Sequence, residues 1–150
     1  MLQRVQTVFL LGAFGCMVAA MLTMVIAFSS NGITYEMTAC VWSANGQTTA
    51  QVWVLPVLGT LAMLLPLIAV FLYKKRKSQI RLAVTGILAI IAYYAAVVFA
   101  IYGIAPAFDI NVLRVGAGAV APLAALALNG LAIRRIRHDE ALIRSLNRLR

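Results

Sequence analysis

The sequence predicts an all-α membrane protein: a four-helix transmembrane bundle with a short outer loop, a possible β-hairpin, and a C-terminal cytoplasmic amphipathic helix. Composition is the first observation, since the chain is 63% hydrophobic and 11% charged, whereas soluble domains are about 45–50% apolar and about 25% charged. The second is that four stretches carry no charged side chain, and crossing a bilayer takes about 20 such residues in a helix. They are residues 5–28, 52–73, 82–108 and 115–133.

These stretches predict transmembrane spans at about 5–28, 52–73, 82–104 and 114–133. The third stretch is longer than a span requires, and Pro106 predicts that its helix stops near Gly103. We divide the 150 residues into a transmembrane domain, residues 1–133, and a basic tail, residues 134–150. This division leaves no room for a separate soluble catalytic domain.

The basic residues lie on one side of the predicted spans. Arg4 precedes the first span, residues 74–81 separate the second from the third, and six arginines follow the fourth. Together these segments hold 12 of the 13 basic residues, and the other side has only Arg114. Since Lys and Arg concentrate on the cytoplasmic side, we predict a multi-pass protein of the bacterial inner (cytoplasmic) membrane with both termini cytoplasmic. Trp42 and Trp53 at the outer ends fit an interfacial aromatic belt.

The outer segment between the first two spans, residues 29–51, contains a hairpin signal. Asn45 and Gly46 lie between two runs with strand-forming residues, and Asn-Gly favours a two-residue turn. Such a turn would bring Trp42 opposite Thr49. The alternative is an irregular polar loop, because alternation is imperfect and an isolated hairpin is only marginally stable. The sequence leaves both alternatives open.

The four uncharged stretches contain no Asp, Glu, Lys, Arg or His. Ionisable groups inside a membrane usually mark proton relays, ion pathways and coupled transport, so the sequence disfavours these activities. The polar residues that remain are mostly types that hydrogen-bond locally or between helices. Asn129, near the inner end of the last span, is the one that could bridge helices or bind a head group.

Small residues at four-residue spacing predict close helix packing in three spans. Most of these faces must be used within the monomer, but one could be left for a partner or for self-association. Pro66 and Pro122 lie inside spans and predict kinks. The predicted helix-packing residues are Gly12, Cys16, Ala20, Ala92, Ala96, Ala100, Ala117, Ala121 and Ala125.

We expect no cofactor, no metal site and no catalytic residue. His138 is the only histidine, and Cys16 and Cys40 are the only cysteines, too few for a bis-histidine haem or a zinc cluster. The chain also has no CxxC pair and no glycine-rich phosphate loop. We interpret Asp139 and Glu140 beside His138 as charged residues on a solvated helix surface rather than as an acid–base pair.

The tail, residues 134–150, predicts a basic amphipathic helix. It lacks Pro and Gly, and at about 100° per residue its apolar and basic side chains fall on different arcs. We weigh two partners: anionic lipid head groups at the cytoplasmic face of the bilayer, and a membrane protein or a second copy docking on the apolar arc. Nucleic acid is not expected, because no aromatic residue interleaves the arginines. The predicted contact residues are Arg134, Arg137, Arg144, Arg148, Ile136, Ile143 and Leu146.

Both ends of the chain resemble one family. Residues 1–10, with Gln3-Arg4-Val5-Gln6-Thr7, and residues 136–150, with His138-Asp139-Glu140 and a final Arg-Leu-Arg, are similar to an uncharacterised family of four-span inner-membrane proteins of Bacteroidota, a domain of unknown function. The resemblance covers the whole chain in length and layout, although the middle matches only in hydropathy. It implies a location and a fold but no catalytic residue.

Function is the property that the sequence determines least. The leading hypothesis is a non-enzymatic integral inner-membrane protein that acts by association, as an accessory subunit or scaffold of a membrane complex. Uncharged spans, small-residue faces and the tail motivate it. The alternative is a carrier or sensor of a lipidic or uncharged ligand held between kinked helices.

Overall fold

The computed structural model describes residues 3–30, 32–51, 53–72, 75–104 and 111–148. These residues form four helices and five strands, and the strands belong to one sheet. In chain order the elements are α1 (Gln3–Leu22), β1 (Met24–Ser30), β2 (Ile33–Thr38), β3 (Val41–Ala44), β4 (Gln47–Gln51), α2 (Val54–Phe71), α3 (Arg76–Ile104), β5 (Asn111–Val115) and α4 (Ala117–Arg148).

The four helices are each long enough and apolar enough to cross a membrane. At a rise of 1.5 Å per residue, the 20 residues of α1 cover about 30 Å, the thickness of the hydrocarbon layer. With 29 and 32 residues, α3 and α4 are longer than one crossing requires. These helices indicate a membrane protein.

The expectation of an all-α bundle is wrong, because the described residues include a five-stranded antiparallel sheet in the order β4-β3-β2-β1-β5. The first strand of this sheet is formed by the apolar run after Leu22, which the hydropathy pattern assigns to the first span up to residue 28. Since α1 is already long enough to cross the bilayer, the residues beyond it extend as β1. Val25 and Phe28 then turn their side chains into the protein interior.

Strand β1 pairs with a neighbouring strand on one side and with a strand distant in sequence on the other. On one side β1 pairs with β2, the next strand along the chain. On the other side it pairs with β5, where Ala27 lies opposite Arg114 and Phe28 opposite Val112. The fourth helix therefore begins at Ala117, after β5, rather than at residue 114.

The outer segment forms a hairpin between β3 and β4. Asn45 and Gly46 have φ values of 48° and 80°, which are the positive angles of a two-residue type I′ turn. The backbone N–H of Asn45 donates to the Thr34 carbonyl, with an N···O distance of 2.9 Å, so this hydrogen bond connects the turn to β2. A register shift after Trp42 places that residue opposite Ala50 rather than Thr49.

The described interior has three layers of buried side chains along the helices. The layer beneath the sheet joins Phe28 and Trp42 to Tyr93 of α3. Alanine supplies most of the buried residues of the middle layer, and the third layer, farthest from the sheet, includes Leu10 and Ile133. We call the two ends of the helices the sheet end and the basic end, the latter containing the α2–α3 connection and the Arg134–Arg137 part of α4.

Trp42 belongs to this interior. It is buried beside Phe28, with the ring centroids 5.8 Å apart in an edge-on arrangement, so its assignment to an interfacial belt is wrong. Trp42 belongs to β3, and its side chain packs in the same buried cluster as Tyr93 of α3, a contact that the sequence alone does not reveal. Trp53, in contrast, is 72% exposed just before α2 begins.

Candidate functional site

The basic end gathers cationic side chains from two parts of the chain. Lys75 and Lys77 are exposed where α2 connects to α3, and Arg134, Arg135 and Arg137 are exposed on α4. The side chains of Arg144 and Arg148, also predicted to make contacts, lie outside the described residues although their backbone continues α4. The described cations therefore form a positively charged surface at one end of the helices.

Beneath this surface, a buried hydrogen bond joins the first helix to the last. The Gln6 side-chain amide donates to the Asp139 carboxylate, and both residues are 7% exposed. The sequence analysis predicts Asp139 on a solvated surface, and this prediction is wrong, because α1 packs against that side of α4. A carboxylate held inside the protein requires such a donor, so this pair fixes α4 against the start of α1.

Four residues of α4 line a cleft of about 360 Å³ on its outward side: Leu131, Arg134, Arg135 and His138. Their spacing of three, four and seven residues places them on one face of the helix. Ile133 and Ile136 lie on the opposite, buried face. The cleft is therefore a surface feature with one apolar and three nitrogen-bearing side chains.

Ile136 occupies a different place from the one predicted for it. It is 0% exposed, so it belongs to the interior and is not available to an external partner. The side chains of Ile143 and Leu146, its companions on the predicted apolar arc, lie outside the described residues. Their role as contacts stays a prediction.

Asn129 is fully buried, and neither its amide nitrogen nor its amide oxygen has a hydrogen-bond partner among the described residues. It lies where three helices meet, because a Cβ on Gly86 would be 3.7 Å from the Pro66 ring and 3.8 Å from the Asn129 amide nitrogen. Asn129 is therefore turned into the bundle, which separates it from any head group at the surface.

The small residues predicted to pack helices differ in their burial. Gly12 faces Leu128, which would be 3.1 Å from an added Cβ, and Ala20 and Ala125 are fully buried. Ala117 is exposed. The remaining predicted packing residues are half-buried: Cys16, Ala92, Ala96, Ala100 and Ala121.

A very close backbone approach occurs at Gly116 and Gly118, two glycines that the sequence analysis did not single out. A Cβ on Gly116 would lie 2.0 Å from the Met24 carbonyl oxygen, and one on Gly118 would lie 2.8 Å from the same atom. The Gly116 amide also donates to the Val25 carbonyl, with an N···O distance of 3.0 Å. The β5–α4 junction therefore rests directly on the α1–β1 junction.

At the sheet end, β5 is an edge strand with exposed side chains on both faces. Among the described strands it has β1 on one side and no neighbour on the other. Val112, Leu113 and Val115 are each between 57% and 59% exposed. This combination of apolar side chains and a terminal position in the sheet distinguishes β5 from β4, the opposite edge, where Gln47 and Thr48 are polar.

The family described as "Domain of unknown function (DUF4293)" matches residues 2–149. The chain belongs to the DUF4293 family. Comparison with curated proteins yields no match. The family match confirms the resemblance to a domain of unknown function, while its attribution to Bacteroidota and to an inner-membrane family stays a prediction. Within the described part of this DUF4293 chain, no group of three or more His, Cys, Asp or Glu residues is placed to hold a metal ion.

Sequence reasoning missed several features of this DUF4293 chain that depend on distant contacts. In the sequence Gln6 is a single polar residue near the start of an apolar run, and its hydrogen-bond partner, Asp139, lies 133 positions away. For β5 a local signal exists, because Asn111-Val-Leu-Arg-Val115 contains two valines and is followed by Gly116, a composition typical of a short strand that ends at a glycine.

Proposed function

We propose that the chain is a non-enzymatic integral protein of the bacterial inner membrane that acts by association, as an accessory subunit or scaffold of a membrane complex. The observation that carries this proposal is the exposed apolar edge of β5. A free edge offers unpaired N–H and C=O groups to another strand, and proteins usually protect such edges with charges, prolines or short length. In β5 the only charge is Arg114.

The partner that we assign to this edge is a second copy of the chain. Two β5 strands can pair antiparallel about Leu113, which places Arg114 of each copy opposite Val112 of the other. This register avoids opposing arginines, and it buries apolar side chains beside the new backbone hydrogen bonds. Strand addition at a sheet edge is a common mode of protein recognition.

Packing of the helix interior supports association over ligand transport. Pro66 and Pro122 are both buried, and the middle layer between the helices is filled by Ala62, Ala89 and Ala125 with their larger neighbours. The carrier or sensor alternative needs a space between these helices, and among the described interior features its support is the unpartnered Asn129 amide beside Pro66.

Cysteine cross-linking tests the association. In a background with Cys16 and Cys40 replaced by serine, Leu113→Cys is expected to give a covalent dimer on mild oxidation in native membranes. Thr48→Cys, which is exposed on the opposite edge strand, is the matched control and should stay monomeric. A monomer for both variants, together with a strictly monomeric native mass and no co-purifying protein, would contradict the proposal. A discrete adduct of position 113 with a different protein would keep association but exclude self-pairing.

The orientation belongs to the same proposal, with the basic end and both termini in the cytoplasm. A membrane-impermeant maleimide is expected to label the exposed Cys40 in intact cells, because the β2–β3 turn would lie outside. Lys77→Cys, in a chain lacking Cys16 and Cys40, should react only after the membrane is opened, since lysines and arginines concentrate on the cytoplasmic side. Labelling of Lys77→Cys in intact cells would reverse the orientation.

A further inference from the structure

The cleft on α4 continues an apolar stripe along the same side of the helix. Val120, Leu123 and Leu131 are exposed large apolar residues, and the smaller Ala127 between them is also exposed. At about 100° per residue, these positions share the outward side of α4 with the three nitrogen-bearing residues of the cleft. The outward side therefore changes from apolar to cationic at the cleft.

The chemistry of the cleft suits a phosphate group. Arg134 and Arg135 each present a planar guanidinium that can donate paired N–H bonds to phosphate oxygens, and His138 adds a ring N–H. Among the residues that the structure describes, none lining the cleft is a carboxylate. Asp139 is turned away, toward Gln6 in the interior. The cationic charge of the cleft is therefore available to an anion.

The phosphate could belong to a free phosphate ion or to a phospholipid, and the apolar stripe favours the phospholipid. A free phosphate ion would use only the cationic side chains and would have no contact with Leu123 or Ala127. A phospholipid would place its phosphate beside the arginines and an acyl chain along the stripe, where the small Ala127 side chain leaves room between Leu123 and Leu131. The transition from apolar to cationic side chains along one helix face matches the transition from acyl chain to head group in a lipid.

We infer that the cleft formed by Leu131, Arg134, Arg135 and His138 binds the phosphate head group of an anionic phospholipid, whose acyl chain lies along the apolar stripe of α4. The site differs from the predicted contact surface, since it uses Arg135 and His138, which were not predicted. It also lies apart from the β5 edge and does not depend on association there.

Native mass spectrometry of the purified full chain can test the site by measuring bound lipid. The probes are phosphatidylglycerol and phosphatidylcholine with identical acyl chains. Wild type is expected to retain phosphatidylglycerol in preference to phosphatidylcholine, because only the former carries a net negative charge. The double variant Arg134→Gln/Arg135→Gln is expected to lower phosphatidylglycerol affinity about tenfold or more, since it removes both guanidinium groups that line the cleft and can donate to the phosphate.

Arg137→Gln is the matched control, because Arg137 is exposed on the same helix but does not line the cleft. Its phosphatidylglycerol affinity should change less than about twofold if the loss is local to the cleft. An equal loss in both variants would overturn the site in favour of general surface charge. Equal retention of the two lipids by wild type would overturn it as well.

Two further measurements keep the test decisive. Leu131→Gln removes the apolar wall while leaving every cation, and it is expected to weaken phosphatidylglycerol binding without affecting the oligomeric state. Inorganic phosphate at millimolar concentration should not displace the lipid. Displacement by phosphate, together with unchanged binding in Leu131→Gln, would assign the cleft to a soluble anion and overturn the lipid assignment. Size exclusion of each variant verifies that the chain remains folded.

Discussion

Gly116→Ala is expected to destabilise the fold by about 3 kcal/mol, the upper end of the usual cost of overpacking, because backbone atoms rather than a flexible side chain must move. The added Cβ would lie 2.0 Å from the Met24 carbonyl oxygen and 2.7 Å from the Met24 carbonyl carbon. These atoms belong to the α1–β1 junction and cannot rotate away as a side chain would. Thermal unfolding in mild detergent, followed by size exclusion, measures the loss as a lower midpoint.

Two glycines of α4 provide a graded comparison for this prediction. Gly118→Ala should be less damaging, because its Cβ would lie 2.8 Å from the same carbonyl oxygen. A Cβ on Gly130 would meet no described atom within 4 Å, so Gly130→Ala should keep or slightly raise stability, since alanine favours helix over glycine by about 1 kcal/mol. A midpoint for Gly116→Ala equal to that of Gly130→Ala would show that the two junctions are not in contact.

Gln6→Leu is expected to destabilise the chain by about 1–3 kcal/mol, because it leaves the buried Asp139 carboxylate without the amide that donates to it. Asp139→Leu should also destabilise, since the Gln6 amide then loses its acceptor. The loss is measured as a reduced unfolding midpoint in detergent, as for the glycine variants.

The double variant Gln6→Leu/Asp139→Leu decides whether the pair acts as a unit. Replacing both partners of a buried hydrogen bond with apolar groups of similar shape can be nearly neutral, so the double variant should be more stable than either single variant. Losses that simply add would show that the two side chains do not interact. Val5→Ala, at an exposed position of the same helix, serves as the control for substitutions in α1.

The exposure of β5 links the fold to the proposed function. Strand β1 is paired on both sides, whereas β5 has a described partner on one side only. Because β5 is brought to the edge by its contact with β1, its apolar side chains are presented to a partner only when the whole fold has formed. Association at this edge would therefore depend on the sheet, and Gly116→Ala should weaken it together with stability.

The sequence by itself determined the number of helices that can cross a membrane and the clustering of basic residues at one end of the predicted layout. Both follow from local properties: an uncharged run of sufficient length must satisfy its own backbone in lipid, and charged residues interrupt such runs. The turn at Asn45 and Gly46 is local in the same way, since both residues have positive φ and Asn-Gly tolerates it.

Only the tertiary structure decided how the apolar residues beyond these helices are used. Residues 24–30 are as apolar as a continuing helix, and their extension as β1 depends on pairing with β2 and with β5, which lies more than 80 positions further along the chain. The burial of Asp139 and Ile136 likewise depends on α1 packing against α4. Hydropathy describes each residue alone, whereas strand pairing and buried hydrogen bonds are properties of two distant segments brought together.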